Sequence, residues 1–159
     1  MKKYHIITAA LLLALFTSCN NVIYEENHPI PDSNWQRFEA EEFNFSIKNP
    51  KDCYHVVASV RIDTTIVRIK DIPLVVNVSS DNGENRMFYS HLPLVDKKGV
   101  RRGSCAGQYQ TAEFRIREYF FFNNAANYTL TIKQGTECQD MPGVNSVGLR
   151  VEKADLDQK

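Results

Sequence analysis

The chain has 159 residues, with 19 Lys and Arg against 19 Asp and Glu, and 43% of its residues are hydrophobic. This length accommodates one ordinary domain. A formally neutral chain with no basic stripe is not built to bind nucleic acid through phosphate charge.

Lys2 and Lys3 precede an apolar run from Ile6 to Phe16, broken only by Thr8, and Thr17-Ser18-Cys19 follows. This is the layout of a secretory signal peptide. Small residues leading into a cysteine mark Cys19 as the lipidated residue of a bacterial lipoprotein. The other reading is an ordinary signal peptide that leaves Cys19 a thiol. The run is too short to span a bilayer, which needs about 20 apolar residues. An acylated Cys19 would hold the chain to the lipid bilayer, since each buried methylene contributes about 0.8 kcal/mol and several chains act together. The residue after it is Asn20. Asp at that position resembles an inner-membrane retention signal, so the expected location is the outer membrane, with its face open.

Four segments follow from this reading: a signal peptide over 1–18, a lipidated N-terminus and tether over 19–37, a β-sandwich domain over 38–153, and a polar tail over 154–159. The tether is expected because Asn27-His28-Pro29-Ile30-Pro31-Asp32-Ser33-Asn34 is polar, proline-punctuated and without period. Beyond it the period is two, which is the strand signal. Phe43, Phe45 and Ile47 alternate with polar residues. Tyr54, Val56, Ala58, Val60 and Ile62 share one face, which sets His55, Ser59 and Arg61 on the solvent face. Leu74, Val76 and Val78 repeat the pattern, as do Phe114 and Ile116, then Tyr128, Leu130 and Ile132, then Val147, Leu149 and Val151.

Asp81-Asn82-Gly83-Glu84 reads as a hairpin turn. Asp96–Gly99, Asn123–Asn127 and Pro142-Gly143 are further turns. No amphipathic helix is visible. The expected fold is all-β, an antiparallel β-sandwich or jelly roll of about eight to ten strands.

Few residues suggest chemistry. His28, His55 and His91 are the only histidines after the signal, and no motif ties them to a nucleophile or a carboxylate pair. Ser104-Cys105-Ala106-Gly107 lacks the Gly-x-Ser-x-Gly spacing of a nucleophile elbow. Gly99, Gly103 and Gly107 lack the Lys and Ser/Thr of a phosphate loop and read as bulge or positive-φ positions. No Cys/His cluster has zinc spacing. No catalytic residue, metal or cofactor is therefore expected, and the chain is not expected to be an enzyme.

Cys53, Cys105 and Cys138 remain in an oxidising compartment, so at most one disulfide can form. Cys105 with Cys138 is the favoured pair; buried free thiols are the alternative. Tyr119-Phe120-Phe121-Phe122 reads either as a strand covered on both faces or as an exposed aromatic platform for a sugar or partner. Trp35 either plugs an edge of the sandwich or binds a ligand. Asp63-Thr64-Thr65 resembles the acceptor tripeptide of periplasmic O-glycosylation in the Bacteroidota, with Thr64 the candidate site.

Cys19, Tyr24, Trp35, the run Tyr54 to Arg61, Ile72-Pro73-Leu74, the loop of Asp96, Gly99, Gly103 and Gly107, Tyr128 to Gln134, and above all Gly143-Val144-x-x-Val147-Gly148-Leu149-Arg150-Val151-Glu152-Lys153 resemble the gliding-motility lipoprotein GldH family of the Bacteroidota. The resemblance implies a cell-envelope lipoprotein with no catalytic motif. The expected role is docking to other envelope proteins. The loops Gly99–Gly107 and Asn123–Asn127 are the candidate surface, with Gly99, Arg101, Arg102 and Gly103 at its centre. The alternative is a glycan- or peptidoglycan-binding module.

Overall fold

A computed structural model describes residues 21–154, so the signal peptide, Cys19 and residues 155–159 of the tail lie outside the described residues. Eleven strands follow one another: β1 Val22–Pro29, β2 Asn34–Gln36, β3 Glu41–Ile47, β4 Tyr54–Asp63, β5 Asp71–Ser80, β6 Asn85–Pro93, β7 Ser104–Ala106, β8 Tyr109–Phe120, β9 Ala126–Gln134, β10 Asp140–Pro142 and β11 Val144–Lys153. The described residues contain one 3-10 turn, Pro31–Ser33, and no α-helix. One sheet has the order β1-β11-β4-β8-β7 and a second the order β3-β9-β5-β6, while β2 and β10 form a two-stranded ribbon. All pairings are antiparallel.

The alternation read from the sequence is what makes the sandwich. Val56, Ala58, Val60 and Ile62 of β4 and Val147, Leu149 and Val151 of β11 point inward from the first sheet. Phe43, Phe45 and Ile47 of β3, Leu74, Val76 and Val78 of β5, and Tyr128, Leu130 and Ile132 of β9 point inward from the second. These side chains form one buried cluster. Period two delivers alternate residues to one face, so one apolar face per strand suffices for a two-layer core. The hairpin at Asp81–Glu84 joins β5 to β6, with Gly83 at φ +91°.

Two expectations are corrected. The tether is a strand: β1 pairs with β11 from Val22 against Glu152 to Pro29 against Ser146. Its polar residues mislead because an edge strand faces solvent on several sides. Trp35 is only 1% exposed, held in the β2–β10 ribbon opposite Met141. The second correction is His55, which is buried although it stands on the outer face of β4. Strand β8 is bulged against β4 on both sides of Val56. Tyr119, within the irregular segment, takes φ +51°. Its ring lies edge-on to His55 at 5.2 Å and covers the imidazole. A bulge adds an unpaired residue and re-aims side chains.

The same irregularity decides the aromatic run. Phe120 and Phe122 are buried, whereas Tyr119 and Phe121 are half exposed. Phe122 meets Tyr128 at 4.7 Å, Phe120 at 4.8 Å, Tyr54 at 5.5 Å and Phe45 at 5.7 Å between ring centroids. The strand is thus covered on its inner face only. Phe122→Ala should cost about 3–5 kcal/mol in urea unfolding, and Phe121→Ala less than about 0.5 kcal/mol. Similar losses at both positions would contradict this packing.

Candidate functional site

The chain connections define two ends. Val22, the β3–β4 turn, the Asp81–Glu84 hairpin, the Phe121–Ala125 turn and Lys153 lie at one end. The opposite end holds Pro29, Asp63, Asp71, Pro93, Tyr109 and Val144 with their connecting loops. The two loops expected to form one surface are therefore separated: Gly99–Gly107 sits at the far end and Asn123–Asn127 at the end of Val22.

The far-end loop is tightly built. The Asp96 carboxylate accepts the N–H groups of Lys98 and Val100, each at 2.8 Å. The Gly99 N–H donates to the Asp96 carbonyl at 3.0 Å, with Gly99 at φ +82°. An acid bonding its own backbone two residues on is the chemistry of a turn. Gly103 has φ +78°, and a Cβ there would collide with the Thr111 carbonyl of β8. Glycine is therefore required on both counts. The buried Gln110 side chain donates to the Leu94 carbonyl at 2.6 Å and the Arg102 carbonyl at 2.9 Å, which pins the loop to the sandwich. A buried amide in this position must be bonded.

Arg101 and Arg102 diverge. Arg101 lines a cavity of about 510 Å³, which it shares with Arg68, Thr64, Val67, Ile69 and Leu94. Arg102 lies over the Phe114 ring at 5.6 Å, a ring that packs against the rim of the core. Among the described residues, neither Arg68, Arg101 nor Arg102 pairs with a carboxylate. The outer face of the five-stranded sheet is different. There Arg150 is shared by Glu113 at 3.0 Å, Glu152 at 3.2 Å and Glu25 at 3.6 Å. That face is a solvated network of matched charge.

Thr64 begins the turn after β4. Its hydroxyl donates to the Gln108 carbonyl at 2.8 Å and it is half-buried. The turn is organised by Asp63, whose carboxylate accepts the Thr65 hydroxyl at 2.6 Å, the Thr65 N–H at 2.8 Å and the Gln108 amide at 2.7 Å. The Thr65 hydroxyl and N–H hold the Asp63 carboxyl below the usual carboxylate range. Sequence reasoning missed Gln110 and Arg68. Neither has a spacing that identifies it, because both are brought to the site by loops distant in sequence.

The histidines are dispersed. His28 stacks on Phe43 at 4.4 Å and meets Glu41 at 3.1 Å. His91 meets Asp71 at 2.8 Å at the surface. No group of three His, Cys, Asp or Glu that could hold a metal occurs among the described residues. The favoured disulfide does not form: Cys53 is buried and free, while Cys105 and Cys138 are exposed and free. Burial pushes the Cys53 thiol up, which leaves less of the reactive thiolate. A thiol reagent should therefore titrate Cys105 and Cys138 in the native protein, and Cys53 only after unfolding. Native protein that releases one thiol or none would restore the disulfide.

This architecture defines the class as a two-sheet antiparallel β-sandwich. The GldH lipoprotein family model matches residues 22–151, and the chain belongs to that family. It is accordingly a lipoprotein, a membrane-anchored protein of the cell envelope. No helix among the described residues is long and apolar enough to cross a membrane. No curated protein sequence matches the chain.

Among solved structures, a non-crystalline cellulose-specific carbohydrate-binding module of family 28 is similar at TM-score 0.45 and 9% identity, over 82% of this chain and 73% of that one. The xylan-binding domain of a Paenibacillus barcinonensis xylanase is similar at TM-score 0.37 and 6% identity, over 84% and 95%. A Schwanniomyces occidentalis fructofuranosidase is similar at TM-score 0.43 and 8% identity, over 87% of this chain and 35% of that one.

Proposed function

We propose that this protein is an outer-membrane lipoprotein acylated at Cys19 that works by contact and not by chemistry, docking other envelope proteins through the loop of Gly99, Arg101, Arg102 and Gly103. The resemblance to gliding-motility lipoproteins supplies the setting. The observation that carries the reading is the far-end loop: a rigid turn that presents arginines without acidic partners. Arginine is enriched in the energetic centres of protein interfaces, and a pre-ordered loop loses little entropy on binding. The partner surface it fits is acidic.

The anchor is tested by Cys19→Ala, which should remain exportable while losing lipid labelling and membrane retention. A variant that stays with membranes after a high-salt wash would show that another element holds the protein. The docking surface is tested by crosslinking in intact cells, followed by mass spectrometry. Arg101→Glu with Arg102→Glu should reduce recovery of specific envelope proteins severalfold with no change in melting temperature. Turnover of an ester, peptide or glycoside by the purified domain, lost on changing His91, would make it an enzyme instead.

One feature favours the glycan-binding alternative. Phe38 and Tyr89, 76% and 71% exposed, line a groove of about 350 Å³ with Lys133 and His91. Exposed aromatic rings are a stacking surface for sugars. Glycan-array binding that is lost in Tyr89→Ala, without any protein partner, would favour that reading.

A further inference from the structure

We infer that the protein stands upright on the bilayer, with the end bearing Tyr119, Phe121, Lys48 and Lys51 seated on the lipid headgroups and the Arg101 loop held at the opposite end. This rests on Cys19 being the lipidated residue. The length of chain between anchor and fold keeps one end at the surface. The Asn21 carbonyl already accepts the Lys153 N–H at 2.8 Å. Only Asn20 lies between Cys19 and this fixed point. Two residues of extended chain reach at most about 7 Å. An acylated Cys19 sits at headgroup level, so the near end of the sandwich has no room to leave the surface.

That end also displays groups suited to a headgroup layer. Tyr119, next to last in β8, and Phe121, the first residue beyond it, are half exposed there. Aromatic rings are favoured at the boundary between headgroups and acyl chains. Lys48 and Lys51 are exposed on the β3–β4 turn and pair with no carboxylate among the described residues. The end that carries them is tied within about 7 Å of the lipidated residue, inside the Debye length of roughly 8 Å at physiological salt. Three acids at this end are occupied, Asp52 by Lys153 at 2.6 Å, Glu84 by Arg86, and Asp81 by the Asn127 amide at 3.0 Å, which leaves Glu118 as an exposed acid beside Tyr119.

Lying flat is disfavoured. The edge next to the anchor is β1, whose Glu25 and Glu26 are about half exposed and paired with Arg150 and His28. This edge therefore offers anionic lipid no unpaired cation, whereas the near end offers two lysines. An upright sandwich places the far end a full strand length away. Strand β4 has ten residues, or about 30 Å at 3.3 Å per residue.

The test uses the full acylated protein in vesicles of phosphatidylethanolamine and phosphatidylglycerol that contain a headgroup nitroxide lipid. One fluorophore is placed at the near end as Phe121→Cys with Cys105→Ser and Cys138→Ser. In a second protein it is placed at the far end on native Cys105, with Cys138→Ser. The near-end probe should be quenched severalfold more than the far-end probe. Equal quenching, or stronger quenching at Cys105, overturns the orientation. Mass spectrometry of the N-terminal peptide separates the two failures. An acylated peptide with equal quenching rejects the orientation alone, whereas a peptide without acyl groups rejects the anchor and the orientation with it.

Discussion

The two sheets are locked together at one place above all, the Phe122 ring. It follows β8 out of the first sheet and meets Phe45 of β3 and Tyr128 of β9 in the second, as well as Tyr54 of β4 and Phe120 of β8. Edge-to-face aromatic pairs each add about 0.5–1.5 kcal/mol beyond the area they bury. The Tyr128 hydroxyl is not orphaned by this burial, since it donates to Glu84 at 2.7 Å. Burial and that carboxylate push its pKa up to about 12. The hydrophobic end of this tyrosine therefore belongs to the core, while its polar end ties the β8–β9 turn to the β5–β6 hairpin. The turn beyond Phe122 is consequently held against the neighbouring hairpin, which fixes the position of Tyr119 and Phe121.

The central strands were legible because each buries one face only. β3, β5, β9 and β11 alternate as written, and their turns carry the Asn, Asp and Gly that tight turns need. The strands that were not legible fail for separate physical reasons. β1 is an edge, and its partner is on one side only, so Tyr24, Glu26 and His28 need not be apolar. β2, β7 and β10 have three residues each, too few for a period to declare itself. His55 broke the alternation rule because a positive φ at Tyr119 brings a ring over it, and a single residue's backbone conformation is not written in hydrophobic pattern.

The candidate site divides in the same way. Its turn chemistry was visible in Asp96 and Gly99, since an acid three residues before a glycine is a local signal. Its attachment was not visible. Gln110 reaches Leu94 and Arg102 across the sheet edge, and Gly103 is needed because Thr111 approaches from β8. Both are long-range facts. The glycine spacing that superficially resembles a phosphate loop is thus explained by two different demands: positive φ at Gly99 and Gly107, and close approach at Gly103. The grouping of two loops into one surface failed for a topological reason. Both are bends between strands, but they close opposite ends of β8.

The order of the strands constrains how the protein matures. β11 is last in the sequence, yet it lies second in its sheet, between β1 and β4. The first strand has no other partner, so it cannot pair until the last strand arrives. Gly148 shows how closely this insertion is fitted. The Ser59 hydroxyl donates to the Asn27 side chain at 3.2 Å directly above it, and a Cβ at Gly148 would run into both groups. Closing β1 onto β11 joins residues more than a hundred positions apart, and such non-local pairing makes folding slow. With Cys19 as the proposed anchor, the Lys153 N–H bond to the Asn21 carbonyl that closes β1 onto β11 also leaves only two residues between the lipid and the folded sandwich.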